Sequence, residues 1–271
     1  MLPGHYYSPI ISLEALALQK DEIWKKPTKE LDGIELNEEE QLNFIEKLVP
    51  FYDQLPFKPE KTEGMRYFFE NIMYAYSDGI FLYCMIREAK PKRIIEVGSG
   101  HSSALMLDVN NLFFDNEIAL TFIEPYPERL NSLLKKGEKI NLIEKGVQSV
   151  DLKLFESLEE NDILFIDSSH VMKTGSDLNF LFFEVLPKLK KGVKVHFHDI
   201  FYPFEYPKNW IFKEKRSWNE AYALRNFLSF NNKFKIILFN TYLEEFHEEW
   251  FKANMPMCLL NKGASIWLEV Q

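Results

Sequence analysis

The sequence predicts an α/β protein built on a doubly wound, largely parallel sheet. From residue 93 onward, short apolar runs rich in β-branched residues alternate with amphipathic segments of helical spacing. A turn with two glycines follows the first run, and an acidic residue follows the second. Strand, glycine turn, helix, strand and acid, in this order, form half of a nucleotide-binding α/β fold.

The first strand is expected over residues 93–97, where β-branched side chains suit a buried parallel strand. Gly98 and Gly100 then permit a tight turn in which the backbone can approach a ligand, because no Cβ stands in the way. Ser102 and Ser103 supply hydroxyl groups at the start of the next helix, where free backbone N–H groups need acceptors.

Two acids and a missing glycine indicate which ligand this unit takes. Glu124 ends the second strand, expected over residues 118–123, and can accept hydrogen bonds from both hydroxyls of a ribose. The dinucleotide pattern requires a third glycine, but Ser103 stands at that position. Glu96, two residues before the first glycine, would repel a pyrophosphate and would suit a cationic ligand. A nicotinamide nucleotide is therefore disfavoured.

The run Glu96-Val97-Gly98-Ser99-Gly100 resembles the first motif of the class I S-adenosylmethionine-dependent methyltransferases, which is an acidic residue, any residue, Gly, any residue and Gly. Their cofactor carries a sulfonium and an ammonium group and no phosphate. The resemblance implies that S-adenosyl-L-methionine binds here and that its methionine part is held by Glu96, Gly98, Ser99, Gly100 and Ser102. It also implies a Rossmann-like seven-stranded sheet with an antiparallel last strand. Three later segments resemble those of the bacterial small-molecule and sugar methyltransferase branch, at residues 78–83, 166–170 and 196–200.

An adenine site next to Glu124 is also implied by the resemblance. Pro125 cannot extend the second strand and would shape one wall of the site. In the family, the loop after the third strand touches adenine; here it contains Val147 and Gln148, whose amide could pair with the exocyclic amine. A plain surface loop is the alternative interpretation.

The remaining pattern continues the alternation to the end of the chain. Further strands are expected over residues 140–144, 162–166, 193–198, 234–239 and 264–270, and helices over 101–111, 127–136, 151–157, 176–187 and 219–230. The methyltransferase domain is placed at residues 91–271. Residues 1–90 are expected to form an N-terminal helical cap, because they show helical spacing and no flexible linker separates them from the rest.

Within this cap, two helices are expected. Asn37 is expected to cap a helix that continues through Leu48. A longer helix is expected over residues 62–88, open to interruption at Asp78-Gly79, and Pro91 ends it.

Chemistry-bearing side chains follow the fourth and fifth strands, whose carboxyl ends share one edge of the sheet. Asp167 follows the fourth strand, and an ionised group there needs hydrogen bonds, an ion or the sulfonium region as a partner. His170 can act as a general base near neutral pH. His198 and Asp199 face the same cleft from the fifth strand, so which histidine is the base stays open. We expect His196, one strand period earlier, to be a packing residue.

A divalent metal is possible at this edge but is not favoured. Metal-dependent members of the resembled family hold magnesium with an aspartate after the fourth strand and an Asp-Asp or Asp-Asn pair after the fifth. Asp167 matches the first position, but the pair here is His198-Asp199, and hard cations prefer all-oxygen shells. With His170, the four residues form a mixed nitrogen and oxygen set, which leaves a transition metal open.

Aromatic residues follow the catalytic edge. The segment 201–212, with Trp218 after it, is expected to cover an acceptor pocket whose walls suit sugar or ring-containing molecules. The segment 246–251 resembles a His-Glu-x-x-His metal motif only superficially, since it lacks the second histidine, and is expected to be a solvated turn of helix.

Composition limits the partners. The net charge of −9 and the isoelectric point of about 5.3 disfavour a nucleic acid, which requires concentrated positive charge. No stretch approaches the ~18 apolar residues of a membrane span, and the first residues do not resemble a secretory signal, so a cytoplasmic protein is expected. Cys84 and Cys258 lie in apolar runs and are expected to be buried free thiols.

These observations predict an S-adenosylmethionine-dependent methyltransferase that modifies a hydroxyl of a small molecule or sugar-like acceptor. Methyl transfer to nitrogen and a non-catalytic, cofactor-binding or regulatory module are the alternatives. The acids and histidines at the cleft argue for catalysis, because a pure binding module has no need for proton-transfer groups.

Overall fold

The computed structural model describes residues 2–271, and its centre is a seven-stranded mixed sheet. Strands β1 to β5 run parallel, and β7 lies antiparallel between β5 and β6, in the order β3-β2-β1-β4-β5-β7-β6. The predicted doubly wound sheet with an antiparallel last strand is confirmed. The strands are β1 Arg93–Val97, β2 Ala119–Ile123, β3 Asn141–Ile143, β4 Ile163–Ile166, β5 Lys194–His198, β6 Phe234–Phe239 and β7 Ser265–Val270.

The register of the parallel strands brings the glycine turn and the acids to one edge. Val97 of β1 pairs with both Ile123 of β2 and Ile166 of β4, and Ile166 pairs with Phe197 of β5. The residues that follow these positions therefore leave the sheet together. This edge lies at the switch point between β1 and β4, where open α/β sheets bind ligands.

Helices pack around this sheet, and one predicted helix changes its form along its length. The segment 176–187 begins as α-helix and continues as a π-helical turn, Leu181–Val185, and a 3-10 turn, Leu186–Lys188. The α-helices are α1 Leu13–Ile23, α2 Glu38–Tyr52, α3 Tyr76–Ala89, α4 His101–Phe113, α5 Glu128–Leu133, α6 Leu152–Glu156, α7 Asp177–Phe180, α8 Lys208–Phe212, α9 Glu220–Leu228, α10 Asn240–Phe246 and α11 Glu248–Asn254.

The helix predicted over residues 62–88 is wrong in its first half. Helix α3 begins only at Tyr76, and it then runs without the anticipated interruption. The backbone N–H groups of Arg66 and Tyr67 donate to the carboxylate of Asp108 in α4, at 2.7 and 2.9 Å. This stretch is therefore held by a buried side chain from another element, a contact that local spacing does not reveal.

Helix α2 begins after Asn37 as predicted, but without the expected capping hydrogen bond. Asn37 adopts a left-handed conformation with a φ of 52°, and its side chain makes no capping hydrogen bond. Its amide instead donates to the carbonyl oxygen of Ile236 in the edge strand β6, at 3.4 Å. The helix also continues beyond Leu48, through Pro50, to Tyr52.

The segment 246–251 is not a solvated turn. Helix α10 ends at Phe246 and α11 begins two residues later, and the ring of Phe251 is buried in the core. The free energy gained by burying this aromatic side chain outweighs the preference of the neighbouring polar residues for solvent. Cys84 and Cys258 are buried free thiols, as predicted.

The N-terminal helices pack on the rest of the chain. Helix α2 contacts α3 and β6. The indole N–H of Trp24 donates to the carbonyl oxygen of Tyr206 at 2.9 Å, and the hydroxyl of Tyr202 donates to the carbonyl oxygen of Thr28 at 2.5 Å. The N-terminal part thus holds the aromatic segment 201–212 in place. Among residues 2–271, no helix has the length and apolar character to cross a membrane.

Candidate active site

The glycine turn passes directly over the end of β4. Gly98 has a φ of +82°, and a Cβ at this position would lie 1.7 Å from the carbonyl oxygen of Asp167. Its N–H donates to the carbonyl oxygen of Ile123 at the end of β2. Only glycine fits both the conformation and the close approach, so this turn connects the ends of three strands.

Glu96 supports the turn from below. Its side chain is fully buried, and its two carboxylate oxygens accept hydrogen bonds from the hydroxyls of Ser102 and Ser103. Burial raises the pKa of Glu96 to about 8. The structure therefore places Glu96 under the start of α4, while Ser99, Gly100 and Ser102 line the cleft.

Glu124 lies at the mouth of the cleft with its carboxylate oriented by backbone groups. One oxygen accepts from the N–H of Ser99 at 3.1 Å, and the other accepts from the N–H of Tyr126 at 2.8 Å. Each oxygen can accept further hydrogen bonds, because a carboxylate has about four acceptor positions. The side chain is half-buried and lines two adjoining cavities.

The first cavity, of about 470 Å³, extends from the glycine turn to the chemistry-bearing residues. The second, of about 580 Å³, extends the other way and is lined by Pro125, Val147 and Gln148. Both include Gly98, Glu124 and Asp167. Except for Glu96, which lines neither cavity, the residues predicted for the two ends of the cofactor therefore lie along one continuous depression.

Asp167, His170 and Asp199 converge at the edge of β4 and β5. The Nε2 atom of His170 lies 3.4 Å from Oδ1 of Asp167 and 3.5 Å from Oδ2 of Asp199. His170 and Asp199 both have left-handed backbone conformations, with φ values of 59° and 58°, which point short loops into the cleft. Burial opposes the charge of Asp167, but His198 and His170 hold its pKa at about 2.

Glu220 contacts His170 from the opposite side. Its Oε2 lies 2.7 Å from Nδ1 of His170, and both side chains are buried. Burial would lower the pKa of His170, but Asp167 and Glu220 outweigh it and raise this pKa well above its usual value. Sequence reasoning missed Glu220 because its partner lies 50 residues earlier and the start of a helix commonly carries an acid.

His198 lies beside this cluster and His196 lies beneath it. Nε2 of His198 is 3.6 Å from Oδ1 of Asp199, and its ring packs against Tyr74 with a centroid distance of 5.1 Å. Burial alone would lower the pKa of His198, but the nearby carboxylates of Asp199 and Asp167 raise this pKa by more, so the net shift is upward. His196 stacks on a buried aromatic ring of β4 at 3.9 Å, which confirms its packing role.

The cluster could hold a divalent ion. Asp167, His170 and Asp199 each offer one ligand atom, and these atoms lie within 4.8 Å of one another. One nitrogen and two carboxylate oxygens suit a transition metal better than magnesium. His198 is not part of this group.

The far wall of the first cavity is aromatic and carries a guanidinium group. Trp210 and Trp218 line it, and Cζ of Arg216 lies 3.8 and 4.3 Å from their ring centroids. Trp218 also packs against His170, with centroids 4.2 Å apart. Phe204, from the same predicted aromatic cover, is instead buried in the core.

A further cavity of about 380 Å³ lies beyond this wall. It shares with the first cavity a set of lining residues, namely Ile72, Met73, His198, Asp199 and Trp210. Asp199 therefore faces two connected spaces, one continuous with the cofactor cleft and one leading away from it.

A family model described as a methyltransferase domain matches residues 95–200, the stretch that contains the glycine turn, Asp167 and Asp199. An uncharacterized protein of Archaeoglobus fulgidus is 37% identical over 168 residues, which cover 59% of this chain and 75% of that protein. The strand order and the antiparallel β7 are those expected of the same family. The chain belongs to the class I S-adenosylmethionine-dependent methyltransferases.

Among solved structures, two similar chains are methyltransferases with the cofactor or its product bound. The S-adenosylhomocysteine-bound methyltransferase PaMTH1 of Podospora anserina is 14% identical, with a TM-score of 0.48, over 100% of this chain and 98% of that one. The O-methyltransferase TomG of Streptomyces achromogenes, in complex with S-adenosylmethionine, is 12% identical, with a TM-score of 0.44, over 95% and 96% of the two chains.

The first cavity of this methyltransferase is bordered by buried polar atoms that have no partner within the described part of the protein. Ser99 Oγ, His101 Nδ1 and Ser168 Oγ are buried and have no hydrogen-bond partner among residues 2–271. All three residues line the first cavity. Unpaired buried polar atoms are costly, so their presence around one cavity fits a polar ligand there. S-adenosyl-L-methionine, with its amino-acid end and ribose, is such a ligand.

Proposed function

We propose that this protein transfers the methyl group of S-adenosyl-L-methionine to a hydroxyl of a small molecule. The observation that carries the proposal is the convergence of Asp167, His170 and Asp199 where the cofactor cleft opens into the aromatic-walled space. Acids and a histidine at this junction can orient a hydroxyl and accept its proton.

The bound cofactor supplies an electrophilic methyl group on a cationic sulfur. Ser99 and Glu124 hold the ribose and methionine end, and Pro125, Val147 and Gln148 border the adenine. Asp167, whose pKa of about 2 keeps it ionised, compensates the positive charge at the reacting end. The aromatic wall and the turn over β4 fix the acceptor in line with the methyl carbon, which is the main requirement of such a displacement.

Asp199 is the proposed acceptor of the hydroxyl proton. It lines both the cofactor cavity and the space beyond it, so an acceptor that lies between the two spaces contacts this carboxylate. His170 orients Asp199, and Glu220 in turn orients His170. The prediction that His170 is the base requires its neutral form. Asp167 and Glu220 favour the protonated form, which cannot accept a proton.

A metal-assisted version of the reaction is the second candidate, favoured by the three ligand atoms within 4.8 Å. In that version Asp167, His170 and Asp199 would hold the ion, and the ion would make the hydroxyl more acidic. The two versions differ in their response to chelation.

The proposal is tested by two measurements. Calorimetric titration is expected to show micromolar binding of S-adenosylhomocysteine and no binding of NAD. A coupled assay for S-adenosylhomocysteine release, run over hydroxylated acids, phenols and sugars with their amino analogues as controls, is expected to show turnover with hydroxyl acceptors. Tight NAD binding would refute the cofactor, and turnover confined to the amines would replace the hydroxyl by nitrogen.

A further inference from the structure

Arg216 carries the guanidinium group on the aromatic wall of the first cavity, whereas Arg129, which also lines this cavity, lies beside Gly100 at the glycine turn. The guanidinium group of Arg216 contacts two indole rings that meet at 81°, with Cζ 3.8 Å from the centroid of Trp210 and 4.3 Å from that of Trp218. These two cation–π contacts restrain the position of the group, so less rotamer entropy is lost when it binds a ligand.

Most of the hydrogen-bonding capacity of Arg216 is available. Nη2 contacts Oε2 of Glu214 at 2.6 Å, and the guanidinium makes no other ion pair among residues 2–271. A guanidinium group has five N–H donors in a planar fork, which matches the two oxygens of a carboxylate or phosphate. The side chain is 28% exposed, so it is reachable and yet partly shielded from solvent.

Charged groups line both sides of the cavity. Glu124 and Arg129 lie by the glycine turn, and Arg216 lies beside the aromatic wall on the side of Asp199. A protein with a net charge of −9 would repel an anionic small molecule unless a local cation offset that charge. Arg216 is placed to supply such a local cation beside the aromatic wall.

We propose, on the basis of the proposed methyl transfer, that the acceptor carries a carboxylate or phosphate group that binds Arg216 while its hydroxyl faces Asp199. The indoles of Trp210 and Trp218 flank the same space and favour an acceptor with a flat or ring-shaped body. Arg216 is a specificity-determining residue in this assignment and takes no part in proton transfer.

The test uses three probes that share one ring and differ in charge. The protein, saturated with S-adenosylhomocysteine, is titrated by fluorine NMR with 4-fluorobenzoate, 4-fluorophenyl phosphate and the neutral 4-fluorobenzamide. We expect at least one anion to bind about tenfold more tightly than the amide, the scale of one hydrogen bond to a charged group. Preference for the benzoate or for the phosphate identifies which anion the acceptor carries.

Two variants assign this preference to one side chain. Arg216→Gln is expected to remove the preference for anions, whereas Arg225→Gln, a matched change at an exposed arginine of α9, should retain it. Arg216→Lys should keep part of the preference, because the charge remains but the planar fork is lost.

The inference is overturned if the wild-type protein binds the amide as tightly as both anions, or if Arg216→Gln keeps the preference. Calorimetry with S-adenosylhomocysteine on the same samples separates this outcome from failure of the proposed function. A protein that binds the cofactor product but does not prefer anions remains a methyltransferase without this specificity, while loss of cofactor binding in the wild type refutes the methyltransferase proposal itself.

Discussion

The two halves of the cleft are built in different ways. The proposed cofactor half uses one short stretch, residues 96–103, with Glu124 from the next strand, and its groups hydrogen-bond directly to one another. The proposed acceptor half gathers Asp167, Asp199 and Glu220 from widely separated positions in the chain and adds an aromatic wall from α8 and residue Trp218. A methyl donor common to a family can be held by a local motif, whereas the acceptor site depends on long-range contacts.

This difference implies that the halves can be disabled separately. The acceptor half should control turnover with little effect on cofactor affinity. The cofactor half should control affinity for S-adenosylhomocysteine, even when no acceptor is present.

The largest effect is expected from Asp199→Asn. Turnover should fall by about 10²–10⁴, the usual contribution of general acid–base catalysis, while S-adenosylhomocysteine affinity stays unchanged. The matched control is Asp115→Asn, which makes the same change at an exposed aspartate that also has a left-handed backbone. Normal turnover of Asp199→Asn on an active acceptor would remove this residue from proton transfer.

The pH profile separates the two candidate bases. Burial raises the pKa of Asp199, and the carboxylate is its active form. Turnover should therefore fall as the pH drops through this raised pKa. Although burial opposes it, Asp167 and Glu220 raise the pKa of His170 well above 6.5, so a His170 base would place the fall at a higher pH. A fall at this higher pH that persists in Asp199→Asn would favour His170.

Glu124→Ala should weaken S-adenosylhomocysteine binding by roughly 1.5–3 kcal/mol, because a charged acceptor of hydrogen bonds from the ribose is lost. Calorimetry measures the change directly. Glu144→Ala, at an exposed acid that follows β3 at the same edge of the sheet, is the control and should bind normally. Equal affinities in the two variants would contradict the assignment of the ribose site.

Gly98→Ala should reduce the free energy of unfolding by at least about 1–2 kcal/mol, the cost of a left-handed conformation for alanine. The clash with the carbonyl oxygen of Asp167 adds to this cost. Gly137→Ala is the matched control, since Gly137 has a φ of +79° but a Cβ added there would meet no atom within 4 Å. Urea denaturation should show a larger loss for Gly98→Ala, and equal losses would mean that the turn is not constrained by β4.

Chelation is expected to have the smallest effect. If Asp199 accepts the proton directly, EDTA should leave both turnover and S-adenosylhomocysteine affinity unchanged. Loss of turnover that manganese or magnesium restores, with cofactor affinity unaltered, would instead establish the metal-assisted version in the acceptor half.

Local patterns predicted the sheet and the cofactor half well, because their determinants are close in sequence. The β-branched runs fix where strands form, and a glycine turn between two strands fixes where a ligand can approach. The motif from Glu96 to Gly100 therefore identified the family. It did not reveal that Glu96 is buried under α4, where Ser102 and Ser103 occupy its oxygens.

The errors fall where distant residues replace local hydrogen bonds. Asp108 binds the backbone of Arg66 and Tyr67 and prevents the helix that their spacing predicts. Asn37 occupies the N-cap position of α2 as predicted, but its side chain donates to an edge strand instead of making the capping hydrogen bond. In both cases a tertiary contact satisfies the polar groups that the local rule assigns to the helix.

The sequence by itself determined the fold, the cofactor family and the presence of Asp167, His170, His198 and Asp199 at one edge of the sheet. Only the tertiary structure decided which of these side chains touch and that Glu220 binds His170. It also decided that Arg216 lies against the rings of Trp210 and Trp218. Strand order follows from hydrophobic periodicity, which is local. The protonation and charge of a site depend on which groups are brought within a few ångströms, and folding alone fixes that.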